Sequence, residues 1–201
     1  EENVLYISSG TWSLMGTERK VADCSPESMA ANFTNEGGYG FRYRYLKNIM
    51  GLWMIQSVRR EFPEKYSYQE ICTRASKETI PSLVDCNDGR FLAPESMIKE
   101  VQEACRESGQ PVPQSPWEIA AVIYNSLAKC YGETAEEIEV LTGCRYNSIH
   151  VVGGGANADY LNELTASRTG RRVLAGPTEA TAIGNLAAQM IQGGVFAGVS
   201  E

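Results

Sequence analysis

The 201 residues are 43% hydrophobic and 21% charged, with a net charge of -7, a balance that suits one soluble domain with its own core and lacks the cationic surface that nucleic-acid phosphates require. No membrane partner is expected: no apolar run nears the roughly 20 residues that span a bilayer, and Glu1-Glu2-Asn3 has no signal-peptide character. Six scattered cysteines and a single histidine, His150, lack the tight spacing of zinc or haem ligands, so the chain reads as cytoplasmic, with reduced and partly buried thiols.

Val4-Leu5-Tyr6-Ile7 predicts a strand with almost no lead-in, as expected of a piece of a longer polypeptide. It runs into the hydroxyl-rich turn Ser8-Ser9-Gly10-Thr11-Trp12-Ser13 and a second apolar stretch at Leu14, the pattern of a β-hairpin. Thr34 to Gly40 is glycine-rich and predicts a loop. From about Tyr43 to Arg60, dense apolar content interrupted only by Gly51 predicts one buried helix. A shorter helix is expected over Tyr68 to Glu78, an irregular stretch over Pro81 to Phe91, and a helix over Pro94 to Glu107 with proline in its first turn. After a proline- and serine-rich linker the longest helix is expected from Pro116 to Leu141, with Ile119, Val122, Ile123, Leu127, Tyr131, Ile138 and Leu141 on one face. The last third changes character: strand at Ser148 to Val152, glycine turn at Gly153 to Gly155, helix from Ala158 to Thr169, strand at Arg172 to Leu174, and helix from Glu179 to Gln192. That alternation is an α/β signature. His150, directly before Val151-Val152, is expected to be a strand-edge or structural histidine.

Strand, triple glycine, helix is the strongest chemical signal in the chain. Glycines let the backbone approach a ligand, and the amides of a helix start favour an anion. The spacing is neither G-x-G-x-x-G nor a Walker motif, and two readings stand side by side: a tight structural turn, or a phosphate site. Ser8 to Thr11 offers the same choice between a capped hairpin and a second phosphate-holding turn. Asn48 and Gln56 are polar residues in the apolar Tyr43 to Arg60 segment. On a single helix they would sit ~12 Å apart and address different parts of a long ligand. The cluster Arg42, Arg44, Lys47, Arg59 and Arg60 reads as a solvated face and is given no role.

Five stretches, in order, resemble the FGGY family of carbohydrate kinases: Tyr6 to Gly16, Asn32 to Gly38, Arg42 to Trp53, Ile149 to Gly155, and Ala175 to Asn185. The resemblance covers nearly the whole chain. It implies an actin-like, ribonuclease-H-like α/β domain over residues 1–201, the C-terminal lobe of a two-lobed sugar kinase that closes over ATP, Mg2+ and a ketose. Thr11, Gln56, Gly154 and Gly155 then look like ATP contacts and Asn48 like a sugar contact, with Asn157 added as a helix cap beside the adenosine. The string Thr11-Trp12-Ser13-Leu14-Met15-Gly16 favours L-rhamnulose over L-fuculose or L-xylulose as the acceptor. In such kinases the general base is an aspartate in a Gly-Thr-His-Asp-like motif upstream of the first matching strand, and this sequence has no counterpart. No catalytic residue is therefore expected here, and the piece alone is expected to be inactive. A stand-alone nucleotide-binding module is the competing reading.

Overall fold

Residues 3–198 are described by the structure, a computed structural model. β1 (Val4–Ser9) and β2 (Trp12–Arg19) form the expected hairpin, with Tyr6 opposite Gly16 and Ser9 opposite Ser13. A short helix, α1 (Pro26–Ala30), is capped by Ser25 and leads into β3 (Phe33–Gly37) and β4 (Tyr43–Met50), which pair antiparallel. α2 (Trp53–Glu61), α3 (Tyr68–Ala75), α4 (Met97–Glu107) and α5 (Pro116–Thr142) follow. The chain then alternates through β5 (Ser148–Val152), a short 3-10 turn at Gly154–Asn157, α6 (Asp159–Thr169), β6 (Arg172–Ala175) and α7 (Ala180–Gln192).

The six strands form one sheet in the order β3-β4-β2-β1-β5-β6. The first four pair antiparallel, while β5 lies parallel to β1 and β6 parallel to β5. This mixed order, two antiparallel hairpins joined by pairing of β2 with β4 and extended by two parallel strands that follow helices, is the ribonuclease-H-like arrangement of an actin-like fold.

α5 explains how the core is organised. Ser115 accepts from the Glu118 amide while Glu118 reaches back to the Ser115 amide, Pro116 occupies the first turn, and Gly143 ends the helix at φ +67°. Each device is specific to a helix end. Between them the helix is buried on nearly every side: Ile119, Val122, Ile123, Leu127, Tyr131 and Ile138 are interior as expected, and so are Ala120, Ala121, Tyr124, Ala128 and Ala135. It lies between the sheet and the helices α2, α3, α4 and α6. Leu5, Ile7, Met15, Ile49, Ile149 and Val151 meet the helical layer from the strands.

Three local expectations are corrected. Tyr43 to Arg60 is strand β4 followed by α2, not one helix. The break is at Gly51, where a Cβ would stand 2.5 Å from the Trp12 carbonyl carbon and 2.7 Å from the Ser13 nitrogen. β4 misleads because Tyr45-Leu46 and Ile49-Met50 are adjacent buried pairs, which break the two-residue alternation of a half-buried strand. Thr34 to Gly37 belongs to edge strand β3 rather than to a loop. α4 starts at Met97 behind a Ser96 cap, so Pro94 precedes the helix. His150 sits in β5 between β1 and β6, opposite Tyr6 and Leu174, an inner-strand place that fits the structural one of its two expected readings.

Candidate nucleotide site

β1 and β5 run parallel, so their C-terminal ends emerge side by side. Open α/β sheets bind ligands beyond such ends. From β1 comes the turn Ser8 to Thr11; from β5 come Gly153, Gly154 and Gly155.

The three glycines answer the choice left open by the sequence, and each answers differently. Gly153 has φ +83°, and a Cβ there would lie 2.7 Å from the Ser9 carbonyl oxygen. Gly155 is buried, and its Cβ would come within 1.9 Å of Ser9 Oγ. The fold itself demands both. Gly154 has no positive φ, is exposed, and a Cβ built on it meets no atom within 4 Å. Nothing in the packing of this chain requires glycine at that position.

Gly154 faces a cavity of about 270 Å³, at the small end of ligand pockets. Its apolar walls are Leu52 and Ile55 from the start of α2 and Tyr124 from α5; Tyr68, Gln56 and Asn157 add polar groups. Desolvation pushes the Tyr124 phenol well above its usual pKa, so it stays neutral. The Ser8 to Thr11 turn is fastened to α2. The amides of Leu52 and Trp53 donate to the carbonyls of Gly10 and Thr11, at 2.9 and 3.0 Å, and Thr11 Oγ1 donates to Gln56 Oε1 at 3.4 Å. The structure therefore brings together Thr11, Gln56, Gly154, Gly155 and Asn157.

Two site expectations change in detail. Asn157 is not a helix cap: α6 has no side-chain cap, and Asn157 Nδ2 donates instead to Thr178 Oγ1 at 3.2 Å, across to the segment after β6. The glycines open into a 3-10 turn before α6 begins, which is why the cap position falls on Ala158. Asn48 does not share a helix with Gln56. It lies on β4 opposite Leu14, exposed to solvent, on the face of the sheet opposite to Lys47, whose ammonium reaches Glu137 of α5 at 2.7 Å.

Other chemistry is sparse. Among the described residues no group of three or more His, Cys, Asp or Glu side chains could hold a metal. All six cysteines are free. Cys72, Cys86, Cys105 and Cys130 are buried, and desolvation raises the pKa of each thiol, so these are unreactive packing groups. No helix among the described residues is long and apolar enough to cross a membrane.

At the opposite ends of the parallel strands a carboxylate that sequence reasoning missed ties α5 to β5 and β6. Glu139 is 8% exposed. Arg171 donates to its Oε1 at 2.7 Å and Arg145 to its Oε2 at 2.6 Å, while the Tyr146 amide donates to Oε1 at 3.1 Å. Burial pulls the Glu139 pKa up, but these partners outweigh it and hold the carboxyl below its usual value.

Comparison with known proteins gives this arrangement its relatives. The rhamnulokinase of Oceanobacillus iheyensis is 48% identical over 191 residues, covering 95% of this chain and 41% of that protein. That of Enterococcus faecalis is 50% identical over 192 residues, covering 94% and 39%. The chain thus spans about two fifths of the curated relatives it matches. In fold it resembles the xylulose kinases of Rhodospirillum rubrum, with a TM-score of 0.69 at 10% identity over 96% of this chain and 39% of that one, and of Lactobacillus acidophilus, at 0.65 and 12% over 99% and 40%. The profile of the FGGY family of carbohydrate kinases, C-terminal domain, matches residues 5–193, from the first hairpin through both glycine-bearing turns to the end of α7, and by that match the chain belongs to this family.

Proposed function

We propose that this chain is the nucleotide-holding C-terminal part of an ATP-dependent L-rhamnulose 1-kinase that acts in rhamnose breakdown. The acceptor and the reaction rest on identity to curated rhamnulokinases across nearly the whole chain. The observation that carries the nucleotide assignment is Gly154, a glycine at a cavity rim that the fold leaves free to bear a side chain. A ligand backbone or phosphate passing over that position is the remaining reason to omit one.

In this reading Thr11 and Gln56 hydrogen-bond the nucleotide from the β1–β2 turn and from α2. Gly154 and Gly155 present backbone to it, and Asn157 borders the nucleoside, tethered through Thr178. Asn48, exposed on β4, reaches the sugar side. Phosphoryl transfer is mainly positioning and charge neutralisation, with a base to orient the acceptor hydroxyl. The chain supplies the positioning; the base lies in the part of the kinase outside it. Mg2+ would arrive on the nucleotide phosphates, as is usual for that ion.

In the full-length kinase, Gly154→Val places a branched side chain over the cavity rim. The KM for ATP should rise by about tenfold or more while the KM for L-rhamnulose stays within about twofold. Steady-state kinetics with each substrate varied in turn checks this. Equal increases for both substrates, or none, would sink the assignment.

A further inference from the structure

Behind the two turns a buried phenol has no part in the chemistry so far. Tyr131 sits in the middle of α5, 1% exposed, and its hydroxyl meets Ser13 Oγ at 2.6 Å. Ser13 is itself fully buried and is paired across the hairpin with Ser9. Ser9, 2% exposed, is the residue on which both fold-required glycines rest, through its carbonyl under Gly153 and its Oγ under Gly155. Ser9 Oγ makes no hydrogen bond of its own. The Ser8 to Thr11 turn therefore has a rigid helix at its back and the glycine turn at its side, and Tyr131 and Ser13 form the polar contact joining that hairpin to α5.

We propose that Tyr131 is a positioning residue for the nucleotide: its hydroxyl pins Ser13 and so holds the β1–β2 turn in register with the Gly153–Gly155 turn. This rests on the nucleotide reading given above. The link to the ligand is short. Two residues before Ser13, Thr11 reaches Gln56, and the carbonyls of Gly10 and Thr11 hold the first amides of α2. A hairpin released from α5 would shift Thr11, the start of α2 and the seat of Gly155 together. Burial drives the Tyr131 phenol far above its usual pKa, against the pull of the Ser13 hydroxyl, so the contact keeps its proton at any working pH.

A purely structural role, in which the phenol only satisfies Ser13, is separable. Removing one partner strands the other in the core, whereas removing both leaves an apolar pair of nearly the same shape. In the full-length kinase the single variants Tyr131→Phe and Ser13→Ala are expected to lower Tm. The double variant is expected to recover most of that loss and yet keep a KM for ATP raised about three- to tenfold, with the KM for the sugar unchanged. A double variant whose KM for ATP returns to the wild-type value along with its Tm overturns the proposal, as does a matching rise in the KM for the sugar. Gly154→Val, run alongside, separates the causes. If it raises the KM for ATP while the double variant does not, only the positioning role fails. If it leaves ATP untouched, the nucleotide reading fails and this one with it.

Discussion

The middle and the C-terminal end of α5 meet the sheet in opposite ways. Near Glu139 the contact is charged and fully satisfied: one carboxylate, two guanidiniums and a backbone amide. Just over two turns earlier along the helix, ~12 Å away, Tyr131 meets a region of hydroxyls and glycines that leaves Ser9 Oγ unpaired. The first contact lies at the N-terminal ends of β5 and β6, the second at the C-terminal ends of β1 and β5. One end is built to hold the layers together. The other keeps backbone accessible, and its polar atoms are small and closely set. Stability and binding are thus assigned to opposite ends of the parallel strands and to neighbouring stretches of the same helix.

The sharpest way to break that division is Glu139→Ala. It leaves the Arg171 guanidinium, 11% exposed, without its carboxylate, and losing one member of a buried pair costs about 3–5 kcal/mol. Chemical denaturation should show that loss, while the KM for ATP of the folded fraction stays unchanged; a selective loss of ATP affinity would erase the distinction between the ends. Acid offers a reversible version. The folded carboxyl titrates below its unfolded value, so its contribution is complete above the usual carboxylate range and is lost as pH falls through the folded pKa. Glu139→Gln should flatten that part of the acid-unfolding curve.

At the other end the glycines should separate. Gly155→Ala drives a methyl onto Ser9 and is expected to cost about 1–3 kcal/mol of stability, as overpacking does. Gly154→Ala enters open space and should change stability by less than about 0.5 kcal/mol. Thermal melts of the pair test this directly, and equal losses would mean that the turn is structural throughout. At Asn48 the effect is expected on the sugar alone. Exposed on β4, it should be replaceable by alanine with no change in Tm, while kcat/KM for L-rhamnulose falls by the worth of one hydrogen bond, about 1 kcal/mol or roughly fivefold. Unchanged kcat/KM would remove Asn48 from the sugar side.

Much of the fold was legible because several elements announce their own boundaries. α5 begins with Ser115, Pro116 and Glu118 and ends at Gly143, and β1, β5 and β6 are short apolar runs closed by glycine or polar residues. β4 was not legible, since its adjacent buried pairs mimic a helical face and the steric reason for Gly51 lies in another strand. The glycine triple was legible as a turn. Which glycine serves the fold depends on Ser9, more than a hundred residues away in sequence, so the division of roles had no local signal. Tyr131 read as one more residue on an apolar face, and Glu139 as one acid among several in the Glu136-Glu137-Ile138-Glu139 run. Their partners, Ser13 and Arg171, come from distant strands and loops, which is information carried by topology rather than by pattern.

The register of β1 against β5 has a kinetic consequence. Val4 pairs with Ser148 and Ser8 with Val152, so this ladder closes across most of the chain, whereas β1, β2, β3 and β4 are joined through near neighbours. Contacts between distant segments form slowly, because chain closure must precede any reward from pairing. The antiparallel half, β1 to β4, should therefore assemble first and the β1–β5 ladder late. The Ser8 to Thr11 turn and the glycine turn lie on opposite partners of that ladder, so neither can complete the cavity before it zips. Recovery of nucleotide binding during refolding should lag behind recovery of antiparallel sheet, and ATP should slow unfolding rather than hasten folding.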